Sequence, residues 1–95
     1  MSSNLSSDAA NYKIEIKPSA AKELESLGTK KDRERIVARI STLATDPRPN
    51  GSEKLKGEPD TYKVRQGNYR IVYTIDEHKK VVVIGRIADR KEAYR

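Results

Sequence analysis

The sequence contains no cysteine, no tryptophan and no phenylalanine, and its 95 residues include a single histidine, His78. Without cysteine there is neither a disulfide framework nor a thiolate nucleophile, which fits a reducing compartment. A lone histidine excludes a Cys/His zinc site and the paired-histidine acid and base of many ribonucleases. Hydrophobic residues make up 35% and charged residues 36%, so one small core built from aliphatics is expected. No apolar run approaches the ~20 residues of a membrane span. The opening MSSNLSSDAAN lacks the basic and apolar regions of a signal peptide. The expectation is a cytoplasmic protein with a disordered tail over 1–11 and one domain over 12–95.

Charge is sided. Residues 54–95 carry 11 Lys or Arg against 6 Asp or Glu, so +5 of the net +6 lies there. A field of that sign favours a polyanion such as nucleic acid, or an acidic protein partner; a basic domain with no such partner is the plainer alternative.

Tyr12, Ile14 and Ile16 alternate with Lys13, Glu15 and Lys17, the pattern of a half-buried strand. Pro18 suits the first turn of a helix, whose apolar residues Ala20, Leu24 and Leu27 recur at i, i+4 and i+7, with Gly28 as its stop. Thr29 with Asp32 three residues on resembles a capping box. It opens a second helix with an apolar face of Ile36, Val37, Ile40, Leu43 and Ala44, closed by Asp46-Pro47. Arg48 to Pro59, with two prolines and two glycines, reads as a long surface loop. After the polar turn at Asp76–Lys79, VVVIGRIA is apolar on both faces and reads as a central strand. The expected fold is α+β, in the order strand, helix, helix, strand, strand, strand, with two antiparallel helices on one face of a mainly antiparallel sheet.

The segment YKVRQGNYRIVYTID, Tyr62 to Asp76, reads as a β-hairpin with Gly67-Asn68 as its two-residue loop. That loop sets Gln66 against Tyr69, Arg65 against Arg70, Val64 against Ile71 and Lys63 against Val72. Lys63, Arg65 and Arg70 then share one side, and Tyr62, Val64, Tyr69, Ile71 and Tyr73 the other. Opposed like charges destabilise a pair of strands unless an anion lies between them. Lys54 and Lys56 precede this face and Arg90 follows the last strand. Taken singly, such cations can simply keep a sheet soluble and block edge pairing; converging from two strands, they form a phosphate site.

A site without thiol, histidine pair or metal cage works by charge and by proton transfer from lysine or arginine, and it needs no cofactor. RNA supplies its own nucleophile in the 2'-hydroxyl. Lys63, held among like charges, has its amine form favoured and is a candidate base. The ending DRKEAYR is either a solvated terminus or a second part of the site, with Arg90 on the phosphate and Tyr94 stacked on a base. Tyr62, Tyr69 and Tyr73 belong to the core, with hydroxyls reaching a partner. His78 reads as a turn residue.

With the basic hairpin and the ending RIADRKEAYR together, the chain resembles the RelE toxins of type II toxin-antitoxin systems, within the RelE/ParE superfamily. The resemblance spans residues 12–95 and rests on YKIEIKPSAAKELESL, KLKGEPDTYKVRQGNYRIVYTI and that ending. It implies a ribosome-dependent mRNA interferase that cuts in the A site by metal-free 2'-hydroxyl attack. It assigns Lys63 and Arg65 as the two basic strand residues, Arg70 as the phosphate arginine, Arg90 as the acid and Tyr94 as the stacking residue. Lys54 and Lys56 would contact ribosomal RNA. Arg65 stands where well-studied members have a second lysine, and an arginine is effectively never deprotonated. The implied partners are a RelB-like antitoxin, the ribosome and mRNA, with DNA reached only through the antitoxin complex. Two other readings remain open: a ParE-like inhibitor of DNA gyrase without catalysis, and a plain RNA-binding module.

Overall fold

The computed structural model describes residues 11–89. The expected tail, except Asn11, therefore lies outside the described residues, as do Arg90 and Tyr94. The elements are β1 (Lys13–Ile16), α1 (Pro18–Ser26), α2 (Lys30–Thr42), β2 (Glu53–Lys54), β3 (Thr61–Gln66), β4 (Tyr69–Asp76) and β5 (Val81–Asp89). The five strands form one sheet in the order β1-β5-β4-β3-β2. β1 runs parallel to β5, and every other pairing is antiparallel.

Pro18 opens α1, and the helix ends at Leu27, whose backbone is extended. Gly28 is not the left-handed stop its position promised; it is needed for clearance. A Cβ there would stand 2.6 Å from the Tyr69 hydroxyl and 2.8 Å from Asp32 Oδ2. Thr29 caps α2 as expected, its Oγ1 accepting from the Asp32 N–H at 3.1 Å, and Arg33 Nη1 donates to the Leu27 carbonyl at the end of α1, 2.9 Å away. Both helices bury residues in a single core. Ala20, Ile36, Ile40 and Leu43 meet Val64, Ile71, Tyr73, Ile75, Val82, Ile84 and Ile87 from the sheet. Truncating one of these aliphatics would cost about 2–5 kcal/mol in lost burial and cavity formation.

Three local expectations need correction, and β5, central as expected, carries a bulge. Val37 is 46% exposed, because one residue turns a helix by ~100° and carries it off the Ile36–Ile40–Leu43 line. Ile16, at the end of an edge strand, is 39% exposed. Arg48–Pro59 is not wholly loop: Glu53 and Lys54 pair with Lys63 and Tyr62, a strand too short to show among proline and glycine signals. In β5, Ile84 and Ile87 both enter the core although three residues apart. A register shift opposite Val72/Tyr73 leaves Gly85 without a cross-strand partner and brings Arg86 across from Val72. That β-bulge lets Ile84 and Ile87 enter the same core, while Val81 and Val83 give the strand its second apolar face.

Candidate active site

The hairpin register is the one the sequence dictates, residue for residue from Thr61↔Thr74 to Gln66↔Tyr69. Gly67 has φ +63° while Asn68 does not share the left-handed region, the sign pattern of a type II′ turn. Two hydrogen bonds fix which way the β3 backbone points. Ile75 N–H donates to the Asp60 carbonyl, and Leu55 N–H donates to Thr61 O, each at 2.9 Å. Even-numbered residues of β3 therefore bond to β4, and odd-numbered ones face β2. Arg65 and Arg70 consequently form a non-hydrogen-bonded pair, the closer kind, with Cα atoms about 4.5 Å apart. Val64, Ile71 and Tyr73 are buried on the helix side, and Arg65 is exposed on the other.

Lys63 lies on the Arg65 side, but its setting differs from the expected one. Its Nζ is 3.3 Å from Glu53 Oε1, and its side chain is only 28% exposed. An ion pair stands where an amine among like charges was anticipated, because β2 sets Glu53 directly opposite it. The same register puts Lys54 opposite Tyr62, on the helix side of the sheet. Lys54 and Lys56 instead line an open groove of about 420 Å³ with Leu55, Gly57, Glu58 and Pro59. Neither Arg65 nor Arg70 pairs with a carboxylate among the described residues. With Gly67, Asn68 and Tyr69 they line a small concavity at the hairpin end. Asp89, the last described residue, sits across from Tyr69, and Ala88 across from Arg70.

The tyrosine hydroxyls find partners, as expected. Tyr69 Oη donates to Asp32 Oδ2 at 3.0 Å, and desolvation together with that carboxylate raises its pKa. Tyr73 Oη donates to the buried Pro47 carbonyl at 2.7 Å. Burial pushes the Tyr73 phenol up to about 12, with Ser52 and the Arg39 cation pulling the other way. Tyr62 stacks on Tyr73 and accepts from Arg48 Nε at 3.1 Å. His78 is an exposed turn residue whose N–H is held by Asp76 Oδ1. Among the described residues no group of three or more His, Cys, Asp or Glu gathers as metal ligands.

Two arginines were not singled out from sequence. Arg86 comes opposite Val72 through the bulge, with its Nε 3.8 Å from Glu23 Oε2. Gly85 inside an apolar run was the available signal. Arg39, on α2, lines a cavity of about 300 Å³ with Gly51, Glu53, Lys63, Val64 and Arg65. Its Nε is buried with no hydrogen-bond partner among the described residues. In sequence it is one more helix cation, and nothing local distinguishes it.

Residues 14–94 match the family model described as ParE toxin of type II toxin-antitoxin system, parDE. The chain is 33% identical over 95 residues to the toxin RelE of Mycobacterium tuberculosis, covering 94% of this chain and 92% of that protein. It is 31% identical over 84 residues to the mRNA interferase toxin RelE of Escherichia coli, covering 86% of each. The crystal structure of the archaeal RelE-RelB complex from Pyrococcus horikoshii OT3 has a chain similar in fold, with TM-score 0.75 and 29% identity. That match covers 84% of this chain and 96% of the other.

Proposed function

From the premise that this chain belongs to the RelE/ParE family of type II toxin-antitoxin toxins, we propose that it is an endoribonuclease that cuts mRNA on the ribosome. The observation that carries this reading is Arg65 facing Arg70 across the hairpin, two cations with no carboxylate paired to either among the described residues. Relatives with this fold include one named an mRNA interferase.

In the proposed reaction the 2'-oxygen attacks the adjacent phosphorus. The P–O2' bond forms as P–O5' breaks, leaving a 2',3'-cyclic phosphate and a 5'-hydroxyl. Arg65 and Arg70 neutralise the charge that builds on the phosphorane oxygens. Arg90 donates to the departing 5'-oxygen, and Tyr94 stacks on the nucleotide; both roles come from the resemblance. Lys63 contributes charge, and must first leave Glu53 to act as a base. Lys54 and Lys56, on their separate groove, fit contact with ribosomal RNA. The reaction requires no metal. A RelB-like antitoxin is the proposed protein partner, as in the archaeal complex.

Primer extension on translating mRNA tests the reading. Wild-type protein is expected to produce defined stops, and Arg70→Ala to reduce them roughly 100- to 1,000-fold, the loss typical of one transition-state donor. Transcripts left intact by the wild-type protein would overturn it. The matched model's parDE description favours a second reading, inhibition of DNA gyrase without RNA cleavage. A supercoiling assay separates the two, since potent gyrase inhibition with intact mRNA would establish the second.

A further inference from the structure

The pocket at the free edge of β3 shares Lys63 and Arg65 with the site above but adds Arg39, which has no part in that chemistry. β2 covers β3 only as far as Lys63. The next outward-facing backbone is that of Arg65, whose antiparallel partner would be Gly51. The chain turns away there, with Gly51 at φ +92° and Ser52 N–H bonded to the Pro49 carbonyl at 3.0 Å. What remains is the cavity of about 300 Å³ between α2, this turn and β3. Three cations line it, Arg39, Lys63 and Arg65, against one carboxylate, Glu53, which is already engaged by Lys63 at 3.3 Å.

Arg39 is the informative member. A guanidinium N–H buried without an acceptor is costly, and such groups in native folds have a reason. Arginine's planar fork suits two phosphate oxygens at once, and an unpaired β-edge N–H adds a third donor.

We propose that this pocket is a second phosphate site, in which Arg39 and the Arg65 edge hold an RNA phosphodiester other than the one facing Arg70. The inference rests on RNA being the ligand of the hairpin face. Arg65 belongs to both concavities, so one strand can run from the hairpin end along β3 into the pocket. Unbranched Met fills much of the volume of Arg without its buried N–H groups. Arg39→Met is therefore expected to leave the melting temperature unchanged or raised while weakening the site.

The test measures binding of the full chain to a 2'-O-methylated RNA oligonucleotide, which cannot be cut, across a salt series. Arg39→Met is expected to weaken binding roughly tenfold and to reduce the slope of log K against log salt by about 0.7, one single-strand phosphate contact. Arg39→Lys is expected to restore part of the affinity. Affinity and slope equal to wild type would overturn the site. So would a loss of affinity that tracks a fall in melting temperature, which marks a structural residue. An Arg39 Nε–H resonance that moves with a polyglutamate peptide but not with the oligonucleotide would assign the pocket to an acidic protein and overturn the RNA site. The two failures are distinguishable: wild-type protein that cuts mRNA while Arg39→Met binds normally removes only this inference. Intact mRNA with a binding defect in Arg39→Met removes only the cleavage.

Discussion

Glu53 and Lys63 stand across β2 and β3 with 3.3 Å between carboxylate and ammonium, and Glu53 is 69% exposed. An exposed pair of this kind contributes about 0–1 kcal/mol, because water screens it and two long side chains must be ordered. In the proposed reaction its weight is functional, since it occupies the lysine that a substrate phosphate would otherwise meet. Glu53→Gln is expected to change stability by under about 0.5 kcal/mol in urea unfolding. The same variant should bind uncleavable RNA more tightly and with a steeper salt dependence, as one more free cation requires. Equal binding by wild type and variant would show that Lys63 does not touch the RNA. The pair was not legible beforehand, because Glu53 lay in a stretch dominated by Pro49, Gly51, Gly57 and Pro59. Gly28 is a related case: its place after a helix suggested a cap, and only the packing of Tyr69 over it reveals the need for clearance.

At the scale of elements, the hairpin and the last strand contrast. The two-residue loop and period-2 pattern leave β3 and β4 one register, since a slip of one residue would bury Lys63, Arg65 and Arg70. β5 is less transparent, because the bulge at Gly85 reverses which residues face the core. β1 covers β5 only from Val81 to Ile84. Beyond that point the Ile87 N–H donates to Glu23 Oε1 of α1 at 2.8 Å, and the same carboxylate approaches Arg86. Glu23 thus fixes the end of β5 beside the hairpin. Glu23→Ala is expected to cost about 1–2 kcal/mol, the loss of a charge-assisted acceptor for a part-buried N–H. It should also lower mRNA cleavage more than the stability loss explains, while Glu23→Gln, which keeps an acceptor, recovers most of both. Full cleavage by Glu23→Ala at a temperature where it stays folded would remove the positioning role.

Across the whole molecule, one polar network spans an end of the sheet. Tyr12 Oη donates to Glu77 Oε1 at 2.7 Å, and Arg48 Nη2 donates to Glu77 Oε2 at 2.6 Å. Arg48 also reaches Tyr62 through its Nε, and Lys80 lies 3.7 Å from the same carboxylate. The start of β1, the turn after β4, the loop before β2 and the start of β3 are joined through Glu77. The hydrogen bond from Tyr12, then that from Arg48, lowers the Glu77 pKa below the ordinary 4.5. A carboxyl with a depressed folded-state pKa adds stability above its unfolded value, and that stability is lost as pH falls through the folded value. Thermal unfolding from pH 7 downward should therefore show a decline beginning near pH 4.5 that Glu77→Gln flattens. Parallel curves for the two proteins would show that the network adds nothing to folding.

The sequence by itself determined the order of elements apart from the two-residue β2, the cap at Thr29, the hairpin register and the side on which Lys63, Arg65 and Arg70 stand. Each depends on periodicity or turn chemistry within a few residues, where local physics admits one answer. Only the tertiary structure decided that Glu53 occupies Lys63, that a bulge turns Arg86 to face Val72, and that Arg39 borders a pocket at the edge of β3. Those relations join residues 10 to 26 positions apart in the chain. They arise from where strands stop covering one another, which no local pattern encodes.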